Sequence, residues 1–322
     1  MLRWGILGLG NIANRVASDF THVYNGELVA VSSRSKKRAK DFSDTYDVGT
    51  IFTSYELLIK SDNVEAIYIA TIHSSHYELA RACLKHGKHV MVEKPAVTSP
   101  EQWEELTQLA KENHCFLMEA MKFPLFPAYQ ELKALIKKEL GRVNNISACF
   151  GNYHRYDSCW HLFDKQHFGG AKYDVGCYLA WLYVDLLEVK NKKSLKLSRI
   201  ETRVNDKSQV DERTDFFFSQ PSQAILRSSI VDDYSREASI TTEKANIKIH
   251  GKWWNPKKIE IYSQQNNHII DYSDSLGGGF HYEFNHFAEC ISLGLNESPI
   301  LTHKKTYLAL TIIDSDNYVK DL

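Results

Sequence analysis

No run in this 322-residue sequence approaches the roughly 18 apolar residues needed to cross a bilayer. An excess of charge of one sign is also missing: 39 lysines and arginines meet 40 aspartates and glutamates, a formal net charge of −1. A general electrostatic pull toward nucleic acid or anionic lipid is thereby excluded. The basic runs RSKKRAK and HKK are short and read as solvated surface. Six cysteines, at 83, 115, 149, 159, 177 and 290, show no Cys-x-x-Cys pair and no metal-ligand spacing. Three of them lie in apolar runs, where a free thiol behaves as a small hydrophobe, and a reducing, cytoplasmic setting fits best. Internal repeats and low-complexity linkers are lacking as well. The opening MLRWGILGLGNIA has no clear signal-peptidase site, and its glycines have another use.

With those classes set aside, the composition is that of a globular protein, 43% hydrophobic and 25% charged. The length suggests about two domains. LRWGILG (2–8), ELVAVSS (27–33), AIYIAT (66–71), HVMVEK (89–94) and CFLMEA (115–120) are nearly continuous apolar runs. Strands covered on both faces of a parallel sheet read this way. Between them, Ser75-His76-Tyr77-Glu78 reads as a capping box, with Gly87 closing the helix. Ser99-Pro100-Glu101-Gln102 reads as another, with Pro100 at the first helical position. Strand–helix alternation implies right-handed βαβ crossovers and a doubly wound sheet. FPAYQELKALIKKEL (126–140) predicts a helix ended by Gly141. Beyond it come VNNISACF, LSRIETRV, VDERTDFFFS, SQAILRSSIV, REASITTE and ANIKIHG, several alternating polar with apolar. That suits a mostly antiparallel open sheet with one face less buried. The expected class is α/β: a nucleotide-type doubly wound domain over 1–121, then an α+β domain over 122–322.

ILGLGNIA places Gly8-x-Gly10-x-x-Ala13 directly after a strand and at the start of a helix. The first glycine permits a tight turn, the second lets a pyrophosphate approach the backbone, and Ala13 allows close helix–strand packing. Asn11 and Ile12 open the helix, whose N-terminus favours an anion. An ordinary tight turn would carry the same glycines; the place in a βαβ unit favours a dinucleotide. NAD enzymes usually hold the ribose 2′-hydroxyl with an acid roughly 20 residues further on. Here Ser32-Ser33-Arg34-Ser35-Lys36-Lys37-Arg38 contains no acid. Ser33 and Arg34, with Arg38 one turn later, can instead hold a 2′-phosphate. NADP is thus the expected cofactor and NAD the alternative, with Lys36 and Lys37 solvated.

VMVEKPAV ends an apolar strand in Glu93-Lys94-Pro95, where an unpaired buried charge would be costly. In open α/β sheets ligands bind beyond the carboxyl ends of the strands, which gives both charges a use. Successive side chains point to opposite sides, so Glu93 can face a cofactor ribose and Lys94 the reacting centre. Pro95 breaks the strand, and Lys94–Pro95 is a candidate cis peptide. IATIHSSHYE (69–78) ends the preceding strand in the same crevice, placing Thr71, His73 and His76 near the nicotinamide. A lone histidine is more often structural; two near a nicotinamide make cofactor contact an even alternative.

In this order and spacing, GLGNIA, YIATIHSSHYELARACLKHGKHVMVEKP, MEAMKFPLFPAYQELK and FGGAKYDVGCYLAWL resemble the Gfo/Idh/MocA oxidoreductase family over essentially the whole chain. Within it the sequence is similar to the dimeric dihydrodiol dehydrogenase and xylose dehydrogenase branch. The resemblance implies a Rossmann domain, then a domain for substrate binding and oligomerisation. It also implies hydride transfer between a nicotinamide cofactor and a carbinol carbon of a sugar, polyol or vicinal diol. The family's Glu-Lys-Pro motif falls on Glu93-Lys94-Pro95, and its Gly-Gly-x-x-x-Asp-x-Gly-x-[Tyr/His] motif on Gly169, Gly170, Asp174, Gly176 and Tyr178. By resemblance Lys94 is a catalytic lysine, Asp174 a substrate or proton-relay carboxylate, and Tyr178 the acid/base. Four apart in a helix, Asp174 and Tyr178 would share a face. A phenol titrating near about 10 is a poor base at neutral pH. A lysine ammonium beside it would favour phenolate and stabilise a developing alkoxide. Without that lysine, an N-cap role for Asp174 and a core role for Tyr178 would be preferred.

The family's Thr-Pro-[His/Asn]-x-x-His carries Ile72 in place of proline, a change expected to shift the loop. Where the dihydrodiol branch continues Met-Glu-Ala-Met with Trp-Thr-Arg, Lys122-Phe123-Pro124 stand here, which weakens a diol as substrate. Lys122 reads as a contact for a substrate anion or, preferably, as solvated. NYHRYDSCWHLFDKQHF (152–168) is expected to rim the pocket through Tyr156 and Trp160, with His154 and Arg155; Trp253 and Trp254 read as packing. The resemblance further implies a homodimer through the open sheet face, for which DFFFSQPSQAILRSSIV supplies apolar residues. The rival class is a non-catalytic nucleotide-binding sensor, which would be expected to lose the lysine or the acid/base; Lys94, Asp174 and Tyr178 are all present. A glycosidase using NAD transiently ranks lower. Neither a metal, nor a nucleic acid, nor a membrane is expected as a partner.

Overall fold

The computed structural model describes residues 1–264 and 266–315, which form two compact units. The first takes in Met1–Val97, Glu101–Lys122 and Leu276–His303; the second takes in Thr98–Pro100, Phe123–Ser275 and the described residues from Lys304.

In the first unit the strands are β1 (Leu2–Leu7), β2 (Gly26–Ser32), β3 (Thr50–Phe52), β4 (Ala66–Ile69), β5 (His89–Glu93) and β6 (Leu117–Ala120). They are all parallel, in the order β3-β2-β1-β4-β5-β6. Helices α1 (Asn11–Asp19), α2 (Lys36–Tyr46), α3 (Tyr55–Ile59), α4 (His73–Lys85) and α5 (Pro100–Glu112) connect them in turn. β4 and β6 are buried throughout because helices cover both faces, which is why their sequences are apolar without alternation. β3 and α3 were not expected: β3 is a three-residue edge strand whose residues are all half-buried, so it leaves no apolar run. β1 and β4 are neighbours in the sheet but not in sequence, and at such a reversal of winding a crevice opens beyond the carboxyl ends. α4 begins at His73 with Ile72 as its cap, not at the Ser75 capping box. Ser75 already lies in the first turn, its hydroxyl donating back to Ile72 O at 2.9 Å.

In the second unit the helix expected over 126–140 is α6 (Pro127–Leu135), continued by one π-helical turn, Ile136–Leu140. Then follow β7 (Val143–Gly151), α7 (Cys177–Leu186), β8 (Lys196–Val204), β9 (Asp211–Gln220), β10 (Gln223–Ser229), β11 (Ala238–Thr242), β12 (Ala245–Ile249), β13 (Lys258–Ser263) and β14 (His268–Asp271). The sheet order is β14-β13-β12-β11-β7-β10-β9-β8, antiparallel except for β7 with β10. β13 and β14 extend it beyond the expectation.

Alternation turns Ala224 and Leu226, Ala238 and Ile240, and Ile247 and Ile249 to the covered face. There α7, apolar on nearly every side and buried except at Tyr178, packs on β7 and β10. The other face is less apolar than DFFFSQPSQAILRSSIV suggested. Phe216 and Phe218 point inward, so from this run Phe217 and Ile225 are left outward. Beside them the Arg199 guanidinium lies 4.2 Å from the Phe217 ring centre, and Arg227 pairs with Asp215 at 3.3 Å.

α8 (Phe280–Ser292) returns to the first unit, a step the division at residue 121 leaves out. Its Phe284 ring meets Trp4 of β1 at 4.7 Å and Tyr68 of β4 at 5.3 Å, and Phe287 meets Phe116 at 4.8 Å. α9 (His303–Ile313) follows. From it Lys305 reaches the fully buried Asp185 of α7 at 2.7 Å, opposite Lys133 of α6 at 2.9 Å. Among the described residues no helix is long and apolar enough to cross a membrane, and no His/Cys/Asp/Glu group could hold a metal.

Candidate active site

At the end of β1, Gly8 has φ +88°, and a Cβ there would stand 2.8 Å from Thr71 Cγ2 and 2.9 Å from Ala70 O. Both the conformation and the close approach of the β4 end require glycine. A Cβ on Gly10 would meet nothing within 4 Å, so there is open space before α1. Gly10 caps α1 without a side-chain bond, and the first turn, with Asn11 and Ile12, holds no acid. Those unneutralised N–H groups make an anion site, and Ala13, fully buried, lets the helix lie close. A dinucleotide pyrophosphate fits this turn.

At the end of β2, Ser33 is buried and its Oγ accepts Ser35 N–H at 3.2 Å; Ser35 Oγ caps α2 through Arg38 N–H at 3.3 Å. Arg34 and Arg38 are exposed around this turn, and no acid lies in the first turn of α2. Lys36 and Lys37 are exposed, as expected.

At the end of β4, Ile72 adopts φ −79° and ψ 153°, the polyproline conformation that a proline would impose. The backbone therefore keeps its course without the proline. Thr71 and His73 are half-buried. His76 is fully enclosed, with Nδ1 2.9 Å from Pro95 O and Nε2 3.1 Å from Thr71 O. This corrects its reading as a direct cofactor contact: its ring is enclosed between the ends of β4 and β5, where the one N–H of the neutral imidazole donates to one of the two carbonyls. Burial holds His76 below the usual histidine range, against the pull of the two carbonyls.

The Lys94–Pro95 peptide at the end of β5 is cis. Glu93 is 7% exposed; Tyr68 Oη donates to its Oε1, and Lys94 N–H donates to its Oε2 at 3.1 Å. Burial pushes the Glu93 carboxyl up, and the charges of Lys94 and Lys122 and the Tyr68 hydroxyl pull it back. The Lys94 side chain is half-buried. Tyr68, hidden inside the apolar run AIYIAT, was missed as a partner for Glu93.

Lys122 is not solvated, contrary to the preferred expectation. It is 6% exposed, and its Nζ donates to Gly278 O at 2.6 Å and lies 4.2 Å from the Phe280 ring centre. Burial pulls it down to about 8, against the charge of Glu283. Glu283 was also missed, though a signal existed: it falls three residues after Phe280, on the stripe Phe280, Phe284, Phe287 that an α-helix buries.

In the second unit Gly170 has φ +105°, and a Cβ there would meet Asp211 Oδ1 at 2.1 Å. The twin-glycine segment is thus a socket for Asp211, whose Oδ2 accepts Lys172 N–H and the Thr214 hydroxyl, each at 2.8 Å. Burial pushes Asp211 up to about 6, with Lys172 opposing. The socket holds the start of a π-helical turn, Lys172–Gly176, that carries Asp174; α7 follows, with Tyr178 in its first turn. Asp174 does not cap α7, where Gly176 takes that position, and Tyr178 is half-buried rather than a core aromatic. The Tyr178 ring stands 5.3 Å from Phe150, which stacks on Trp254 at 3.5 Å. Tyr156 is 38% exposed. Trp160 packs on the cluster of Leu162, Phe163, Ala171, Val210 and Ile230 and on His154 at 4.8 Å, so it anchors the loop. Trp253 is fully buried and donates to Cys149 O at 2.8 Å, as a packing residue should.

A doubly wound sheet with a glycine turn and charged strand ends, joined to a large mixed sheet, defines a class of two-unit nucleotide-binding oxidoreductases. Residues 2–121 match the model of an oxidoreductase family with an NAD-binding Rossmann fold. Over 322 aligned residues, 97% of this chain and 96% of the relative, the sequence is 30% identical to a trans-1,2-dihydrobenzene-1,2-diol dehydrogenase of Xenopus tropicalis. Among solved structures, an aldose-aldose oxidoreductase from Caulobacter crescentus matches with a TM-score of 0.86 at 18% identity, covering 99% of this chain and 98% of that one. A 3-ketoreductase from Actinomadura kijaniata, in complex with NADP and TDP-benzene, matches with a TM-score of 0.85 at 21% identity, covering 98% and 96%. The chain belongs to the Gfo/Idh/MocA family of oxidoreductases.

Proposed function

We propose that this protein is an NADP(H)-preferring dehydrogenase or reductase acting on a carbinol carbon of a sugar, polyol or vicinal diol. The observation that carries the reading is the set of groups at the carboxyl ends of one parallel sheet: the Gly8 turn after β1, Ser33 and Arg34 after β2, and Glu93-Lys94 closing β5. The dihydrodiol dehydrogenase relative and the NADP-bound 3-ketoreductase support the substrate type and the cofactor.

When bound, the cofactor supplies the hydride acceptor or donor. Gly10, Asn11 and Ile12 present backbone N–H groups to its pyrophosphate, and Gly8, whose own N–H donates to Ser32 O at 3.1 Å, makes the turn that lets it approach. Ser33, Arg34 and Arg38 hold the 2′-phosphate, Thr71 and His73 border the nicotinamide, and the Glu93 carboxylate accepts ribose hydroxyls. Tyr178 Oη takes the substrate hydroxyl proton in oxidation and returns it in reduction. Lys94 Nζ holds the substrate oxygen as negative charge develops, and Asp174 orients a hydroxyl or relays its proton. Tyr156 contacts substrate, and Trp160 holds the loop that carries it. The parallel-sheet unit serves the dinucleotide and the mixed-sheet unit the substrate. A homodimer through the outer face of the mixed sheet and a cytoplasmic setting complete the reading.

The test is fluorescence titration with NADPH and NADH, then an oxidation screen of sugars, polyols and diols with the preferred cofactor. Tighter NADPH binding and turnover of at least one such alcohol are expected. Tight nucleotide binding with no turnover across the panel would favour a sensor instead.

A further inference from the structure

Lys122 stands two residues beyond β6, and β6 pairs with β5 so that Ala120 lies opposite Glu93. The ammonium is thus built in next to the strand end that carries Glu93, seated on Gly278 O and the Phe280 ring face. Glu283 of α8 is 1% exposed, and among the described residues neither of its carboxyl oxygens has a hydrogen-bond partner. Leaving a buried carboxylate unsatisfied is costly. The charged groups facing this pair are Arg15 and Asp19 of α1, Glu93 of β5 and Glu119 of β6, and Glu93 is itself faced by Lys94, whose charge acts on it more strongly than that of Lys122. Asp19 is engaged by the N–H groups of Gly278 and Phe280, and Glu119 accepts Ala96 N–H at 3.0 Å.

Glu93 and Glu283 are both buried and their charges oppose each other; two such carboxyls do not both ionise readily, and hydrogen bonds to the charged form decide which one does. Glu93 accepts from the Tyr68 hydroxyl and from Lys94 N–H; Glu283 accepts from none of the described residues. We propose that Lys122 is a positioning residue for cofactor binding, its buried charge adding to that of Lys94 to keep the Glu93 carboxylate ionised while Glu283 carries the proton of the pair. Burial and the Glu93 charge both push Glu283 well above the usual carboxylate range, in line with that division. The inference rests on the reading of Glu93 as a cofactor ligand. Through Lys122 the segment that follows β6 sets how well Glu93 can accept ribose hydroxyls, without itself touching the cofactor.

The experiment measures NADPH affinity of the full chain across about pH 5 to 9 for the wild type, Lys122→Gln, Lys122→Arg and Glu93→Gln. Lys122→Gln keeps a donor for Gly278 O and loses the charge. It is expected to bind NADPH at least about tenfold more weakly on the acid side and to recover as pH rises and Glu93 ionises. Lys122→Arg is expected to retain the wild-type profile. A loss that is equal at every pH, or no loss, overturns the proposal. If Glu93→Gln binds as the wild type does, the cofactor reading fails and the proposal with it. If Glu93→Gln is weak and Lys122→Gln normal, this inference alone fails. Infrared titration of the glutamate-labelled protein gives a second readout that needs no Lys122 variant. The protonated carboxyl band at neutral pH is expected to vanish in Glu283→Gln; its disappearance in Glu93→Gln instead overturns the assignment.

Discussion

Nδ1 of His76 lies 2.9 Å from the carbonyl oxygen of Pro95, and Nε2 lies 3.1 Å from that of Thr71. One ring therefore spans the ends of β4 and β5, just past the lysine assigned to the substrate oxygen. His76→Ala is expected to lower kcat by about 10- to 100-fold, because a shift of about 1 Å in a reacting group has that scale of effect. NADPH affinity should change less, and His76→Gln, which retains one donor, should recover part of the loss. Steady-state kinetics beside an NADPH titration decide the matter; an unchanged kcat in His76→Ala would remove the positioning role.

Arg34 is exposed at the start of α2, beside a turn that holds no acid. A charge-assisted hydrogen bond to phosphate contributes about 1.5–3 kcal/mol. Arg34→Ala is therefore expected to raise the NADPH dissociation constant roughly ten- to hundredfold. NADH, which has no 2′-phosphate, should be affected by less than about threefold. Equal losses for the two cofactors in parallel titrations would place Arg34 elsewhere.

Tyr178→Phe removes one hydroxyl from the first turn of α7. Acid–base contributions of this kind are worth roughly 10²- to 10⁴-fold, so kcat should fall by that scale with NADPH binding kept. Lys94→Ala should lose turnover comparably. Retained turnover in either variant, on an alcohol the wild type oxidises, contradicts the mechanism.

The parallel sheet was legible because strands buried on both faces write apolar runs into the sequence, and the glycine turn was legible because Gly8 has no alternative at φ +88°. β3 was not, since a half-buried edge strand of three residues carries no pattern. The outer face of the mixed sheet was misjudged because DFFF is counted as apolar before period-two alternation sends Phe216 and Phe218 inward. Lys122 was taken as solvated because its partners come from the Gly278 carbonyl, 156 residues away, and from α8 just beyond it. Charge pairing over such a separation leaves no local trace; the one clue was a glutamate on the phenylalanine stripe of that helix.

The return of α8 depends on Asp19, at the last turn of α1. Its carboxylate accepts the N–H groups of Gly278 at 2.6 Å, Phe280 at 2.8 Å and His281 at 3.4 Å, and faces His281 Nδ1 at 3.3 Å. Asp19 thus caps α8 from another helix, meeting the orphan donors and positive end that Gly279 leaves uncapped. Burial alone would push this carboxyl up; the donors outweigh it and hold it well below the usual carboxylate range. In the unfolded chain it titrates near about 3.9. Below that value the unfolded state binds the extra proton first, so the contribution is full above it and is lost as pH falls through the folded-state value. Asp19→Asn turns an amide N–H₂ toward donors and is expected to cost about 1–3 kcal/mol at neutral pH. In urea unfolding, that gap from the wild type should narrow as pH drops below about 4, while a gap of constant size would show that the charge of Asp19 is not what holds α8 in place.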